Sequence, residues 1–208
     1  WGNDNMDEST NIHTFDISSP GDTVYTGSGR VKGTVLNQFS ISEYEGVLRV
    51  ATTSGQWARW WMENPEPMSS SVVTFVRGVD VETDRQILVE VGRVDNIAPE
   101  ERIWSARFDG DRCYLVTFRQ IDPLWVIDMS DETNPTILGE LEIPGVSTYI
   151  HPLSRDHLLT IGMGPGEDGL GLDWSNTRLS LFNISDPTAP SVDDVLSLSP
   201  VANPYDSG

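Results

Sequence analysis

A turn phrase recurs at the ends of apolar runs, and it constrains the fold more than any other feature of this chain. It reads Thr14-Phe-Asp-Ile-Ser-Ser-Pro20, then Trp125-Val-Ile-Asp-Met-Ser-Asp-Glu-Thr-Asn-Pro135, then Leu181-Phe-Asn-Ile-Ser-Asp-Pro-Thr-Ala-Pro190. Asp16 and Asp128 lie 112 residues apart, and Asp128 and Asn183 lie 55 apart. The first gap is about twice the second, as expected if a degenerate copy sits between them. A period of roughly 40–50 residues or slightly more marks a repeat fold built from one supersecondary unit.

No window carries a convincing helical apolar period. Pro, Gly, Asn, Asp and Ser interrupt short β-branched and aromatic runs, which is the all-β signal. Three stretches read as hairpins: Gln38–Thr53, Trp104–Thr117 and Ser147–Ile161, the second turning at Asp109-Gly110, where positive φ is favoured. Two further strands, Leu124–Asp128 and Arg178–Asn183, end in the Ser/Asp/Pro phrase, and an edge strand such as Thr136–Pro144 follows. Asp16 or Asp128, with the Ser that follows, can bond backbone amides in Asx- and Ser-turns. Pro135 and Pro190 then enter the outermost strand, where a missing amide donor is tolerated. Four antiparallel strands per unit, repeated around an axis, make a β-propeller.

Residues 36–97, 98–146 and 147–199 each supply one four-stranded blade. Residues 12–35 supply only the last two strands of another, and 200–208 form a short tail. The expectation is an all-β propeller segment of about three and a half blades, part of a larger propeller. The start at Trp1, without Met, fits a processed or cut chain.

The segments Leu36–Gly55, Glu101–Phe118, Leu124–Asp131, Gly145–Pro152 and Arg178–Pro187 resemble, in this order, the secreted C-terminal β-propeller family of archaea and bacteria, distantly related to WD40 repeats. The resemblance implies a large extracellular protein, a propeller larger than this chain and no agreed catalytic residues. The chain departs from the family in a Trp-rich insertion at 57–67 and a Gly/Asp insertion at 162–173.

Charge adds a second constraint. The chain carries 32 acidic side chains, 12 Arg and a single lysine, Lys32, for a net charge of −19. A carboxylate-rich, lysine-poor surface resembles that of proteins working in molar salt, where a Debye length of about 3 Å screens self-repulsion; an acidic partner-binding surface would explain it too. The archaeal resemblance and this surface together point to a haloarchaeal protein. No basic stripe exists to displace counterions from phosphates, so nucleic acid is not an expected partner. No apolar run reaches the 18 or so residues of a membrane span. The one cysteine, Cys113, lies in a strand pattern where a free thiol acts as a small hydrophobe.

Candidate sites fall in the insertions. Trp57, Trp60 and Trp61 crowd one loop and could stack sugars or anchor a partner; equally, the rings could fill gaps on the propeller face. Glu167, Asp168 and Asp173 line a Gly-rich loop whose carboxylates suit Ca²⁺, although the spacing fits no EF-hand and a solvated insertion explains it too. No other cofactor is expected. His13, His151 and His157 are too scattered for a metal, and no Gly-x-Ser-x-Gly elbow is present. Asn183-Ile-Ser185 is a formal glycosylation sequon inside the turn phrase.

These features describe a secreted or cell-surface scaffold that is non-catalytic and presents loops to a protein or glycan, or to the missing blades. The alternatives are a hydrolase-type enzyme completed by blades elsewhere, and a structural subunit of a surface assembly. The charge generates one prediction. Raising NaCl from tens of millimolar to above roughly 1 M should raise the melting temperature, and a flat or falling melting curve would contradict it.

Overall fold

The computed structural model describes residues 8–55, 67–118, 122–166 and 172–198. It is all-β, with fourteen strands in three sheets among the described residues. They are β1 (Ser9–Asp16), β2 (Val24–Lys32), β3 (Ile41–Tyr44), β4 (Val47–Ser54), β5 (Ser69–Asp80), β6 (Arg85–Ile97), β7 (Arg102–Asp109), β8 (Arg112–Phe118), β9 (Asp122–Asp128), β10 (Thr136–Ile143), β11 (Val146–Ser154), β12 (His157–Pro165), β13 (Leu172–Asn183) and β14 (Ser191–Leu198).

Strands β3 to β6, β7 to β10 and β11 to β14 each form a four-stranded antiparallel meander. The hairpin β1–β2 joins the first of these sheets through β2. One correction applies to the first expected hairpin. Its strand begins at Ile41, because Asn37 Oδ1 accepts from the Phe39 amide (2.9 Å) and winds Gln38–Ser40 into a 3-10 turn. The β3–β4 turn has φ of 52° at Glu45 and 84° at Gly46, the twist that two-residue hairpins prefer. Among the described residues no helix is long and apolar enough to cross a membrane.

The chain divides into two compact units. The first holds the described residues up to Glu101 together with Met129–Pro135, and the second holds Arg102–Asp128 and the described residues from Thr136 onward. The core of the first unit packs Ile12 and Val31 of the β1–β2 hairpin against Val50, Val73, Phe75 and Leu88. The core of the second packs Tyr114, Val116, Leu124 and Val126 with Ile150, Leu158, Phe182 and Ile184. Within that unit the Ser105 hydroxyl donates to the Ser147 carbonyl (2.7 Å), and the Ser147 hydroxyl donates to Thr160 Oγ1 (2.9 Å). These buried hydroxyls are therefore satisfied, as burial demands.

The recurrent phrase folds into side-chain-capped turns, as expected at Asp16, while in the later two copies caps fall at Asp131 and Asp186, three residues beyond Asp128 and Asn183. Asp16 Oδ1 accepts from the Ser18 amide, Asp131 Oδ1 from the amide and hydroxyl of Thr133, and Asp186 Oδ1 from the amide and hydroxyl of Thr188. The degenerate copy is also present. Asp80, at the end of β5, accepts from the amides of Glu82 and Thr83.

What the turns rest on was not evident from the sequence. In each third–fourth strand pair the register slips by one residue, leaving Thr26, Val91, Leu138 or Asp193 as a bulge in the fourth strand. The next residue is Gly27, Gly92, Gly139 and Asp194 respectively. In the first unit a Cβ on Gly92 would stand 2.2 Å from the Glu132 carbonyl oxygen, while the Thr74 hydroxyl donates to that same oxygen (2.6 Å). In the second unit a Cβ on Gly139 would stand 2.6 Å from the Pro187 carbonyl oxygen. A capped turn thus seats its main chain directly on a bare glycine backbone, a use for which no other residue is small enough.

Two substitutions test this seating. Gly139→Val should destabilise the protein by at least about 1–3 kcal/mol through overpacking. Thr74→Val should cost about 1–3 kcal/mol by stranding a buried carbonyl. Denaturant melts in high salt read both, and a wild-type midpoint for Gly139→Val would refute the seating.

Candidate functional site

In every sheet the link between the second and third strands leaves from the same end. These links are β4–β5, β8–β9 and β12–β13. Both unusual insertions of the sequence are links of this kind. Trp57, Trp60 and Trp61 fall in the β4–β5 link and lie outside the described residues. Glu167 and Asp168, in the β12–β13 link, also lie outside them, whereas Asp173 and Asn183 lie within.

At this end of the second unit the described residues form an aromatic cluster on three strands. Trp104, near the start of β7, meets Phe118, at the end of β8, edge to face (5.5 Å between centroids, 77°). Trp174, near the start of β13, tilts against Trp104 at 6.4 Å and 50°. The Arg102 guanidinium lies 5.8 Å from the Trp104 ring centre, within cation–π range. Trp104 and Phe118, like Met163 and Leu172, pack against the core of this unit.

Local irregularities aim these rings. Opposite β8, the register of β7 passes from Ile103 to Ser105 without a partner for Trp104. Bulges of this kind re-aim a side chain. The slip beside Trp174 is larger. Met163 faces Thr177, and the next residue, Gly164, faces Asp173, so Trp174, Ser175 and Asn176 are extruded together. Asp173 Oδ1 holds the loop by accepting from the Ser175 amide (2.9 Å) and the Ser175 hydroxyl (2.6 Å). The outcome is an indole left 72% exposed on a braced backbone. Trp104 Nε1 and Asn176 Oδ1 are buried polar atoms without a hydrogen-bond partner among the described residues.

Asp173 therefore braces the bulge. Among the described residues no three His, Cys, Asp or Glu side chains stand close enough to hold a metal. Asn183 Oδ1 accepts from the amide and hydroxyl of Ser185, so the sequon residues cap one another in the turn. His13, His151 and His157 are dispersed. His13 tilts toward Tyr25, His151 stacks on Tyr149, and His157 Nε2 lies 3.3 Å from Asp193. Sequence reading passed over Trp104, Phe118 and Trp174 because they are scattered over 71 positions. A signal was available, since a Trp directly after an Asp-bearing Gly-rich insertion marks an aromatic at the mouth of a strand.

The hydroxyl and then the amide of Ser175 hold the Asp173 carboxyl below its ordinary range. Thr133 does the same for Asp131, and Thr188 for Asp186. A carboxyl lowered in the fold stabilises fully above its unfolded value, and that contribution is lost as pH falls through the lower folded value. The loss therefore falls in the acid range, below the ordinary aspartate value of about 4. In Asp173→Ala the Ser175 amide should exchange at least roughly tenfold faster at neutral pH. Asp173→Asn should retain protection, since Asn183 caps its turn through an amide oxygen. An unchanged Ser175 rate in Asp173→Ala would disprove the brace.

Four-stranded antiparallel meanders repeated along the chain define β-propeller blades. The chain belongs to the beta propeller domain family, whose model matches residues 1–199. It is 39% identical over 178 residues to an uncharacterized protein of Methanocaldococcus jannaschii, covering 86% of this chain and 25% of that protein. It is 38% identical over 183 residues to an uncharacterized protein of Archaeoglobus fulgidus, covering 88% of this chain and 24% of that protein. The chain thus spans about a quarter of the length of these two archaeal relatives.

Proposed function

We propose that this chain is a segment of a non-catalytic, extracellular propeller scaffold of a halophilic archaeon, distantly related to WD40 repeats, and that the strand-end aromatic cluster binds a glycan or a protein partner. The observation that carries this reading is Trp174, whose ring is presented to solvent on an Asp-braced bulge beside a second indole. An exposed, pre-ordered aromatic loses little conformational freedom on binding, and rings of this kind dominate interface energies. The exposed face of Trp174 is a stacking surface for a sugar ring. Loops on a rigid scaffold are the usual place for recognition.

The extracellular and halophilic parts of the reading rest on the family resemblance and on a net charge of −19 with one lysine. A panel of oligosaccharides and cell-surface proteins, screened in molar NaCl with the wild type and Trp174→Ala, tests the site. Trp174→Ala should weaken binding on the order of 10- to 30-fold with an unaltered melting temperature. A ligand bound equally well by Trp174→Ala would remove this surface as the site.

A further inference from the structure

Arginine supplies nearly all the cations of this chain, and the fold gives many of its guanidinium groups partners. Arg93 and Arg155 hold carboxylates, Arg112 and Arg178 hold main-chain carbonyls, and Arg30 and Arg49 hold serine hydroxyls. Arg77 and Arg85 interact by charge with Asp16 and Asp80. Arg102 differs. It is exposed at the start of β7, and among the described residues its guanidinium makes no hydrogen bond and no ion pair. Its contact is with the Trp104 ring. A cation–π contact uses the charge of a guanidinium and none of its N–H donors. In a chain of net charge −19, a guanidinium with unclaimed donors beside an exposed indole is a place for an anion.

The cation and the indole belong to one surface of the second unit. The Arg102 guanidinium lies 5.8 Å from the Trp104 ring centre, and the Trp174 ring centre lies 6.4 Å from it. Arg102 and the exposed Trp174 ring are therefore no farther apart than those two distances laid end to end. A short run of linked sugar rings covers that span. An indole face takes the apolar face of such a ring, and a guanidinium fork takes a carboxylate through two parallel hydrogen bonds. The acids elsewhere on the chain do not forbid an anionic ligand in the salt that the charge calls for. At about 1 M a Debye length of roughly 3 Å screens distant carboxylates but leaves a directly bonded pair in place.

We propose that Trp174, Trp104 and Arg102 bind an acidic oligosaccharide, one ring stacked on Trp174 and the carboxylate of a uronic acid unit held by Arg102. The proposal rests on the sugar-stacking role given to Trp174 above and adds the charge of the ligand. A neutral glycan leaves the donors of Arg102 idle, and an acidic peptide brings the carboxylate without the sugar face.

Calorimetric titration of the full-length protein in molar NaCl tests this, with short oligogalacturonates and oligoglucuronates, each beside its methyl ester. The ester keeps the rings and removes the charge. The wild type should bind the acid on the order of 10- to 100-fold more tightly than the ester. Arg102→Gln should erase that ratio and keep ester binding, Arg102→Lys should restore part of it, and Trp174→Ala should weaken acid and ester alike. Equal binding of acid and ester by the wild type, a ratio that survives Arg102→Gln, or no binding of any uronate would overturn the proposal. Ester binding that still depends on Trp174 would then leave the stacking site standing, whereas binding indifferent to Trp174→Ala would remove site and proposal together. Tighter Arg102-dependent capture of oligoglutamate than of any uronate would assign the surface to an acidic peptide and overturn the proposal as well.

Discussion

The interaction on which the structure depends is the contact between a turn carbonyl and a naked glycine backbone. At Gly92 and Gly139 a main-chain oxygen occupies the space of a side chain, so a turn approaches a strand more closely than any Cβ permits. The bulge before each glycine tilts the fourth strand, and the aspartate in each turn freezes the loop that docks. Removing any of these three elements leaves the others without purpose. A capped turn, a bulge and a glycine occur together in the β1–β2, β5–β6 and β9–β10 hairpins, whereas the last hairpin carries Asp194 after its bulge.

Charge acts on this frame without defining it. Each acidic side chain needs either solvent or a partner, and arginine supplies partners of fixed geometry. Arg155 grips both oxygens of Asp111 (3.0 and 2.9 Å), and Arg93 grips both oxygens of Glu90 (2.7 Å each) while reaching Asp95 (3.1 Å). A planar guanidinium makes such paired bonds, which an ammonium cannot. Arg112 uses its fork on backbone instead, donating to the carbonyls of Arg155 and Ile184. These exposed pairs each contribute little. Their value lies in offsetting repulsion among the many acids that remain.

The frame also explains where binding chemistry can be placed. One end of each sheet carries its hairpin turns, and two of these turns seat on glycines, at Gly92 and Gly139. The links between second and third strands carry no such duty and can lengthen freely. The Trp-rich and Gly/Asp-rich insertions both occur there. Cys113, by contrast, is fully buried in β8 and serves packing.

The sequence by itself determined the strand content, the repeat, the four-strand unit and the capped turns, because those follow from local chemistry: alternation of apolar residues, turn formers, and Asp and Ser within reach of their own backbone. Only tertiary structure decided what the glycines after the bulges are for, since Gly27, Gly92 and Gly139 owe their role to carbonyls far away in the chain. It likewise brought Trp104, Phe118 and Trp174 together and made Asp173 the brace of a bulge. Such outcomes depend on register, and a slip of one residue between strands leaves no mark on composition or spacing while redirecting every side chain that follows it.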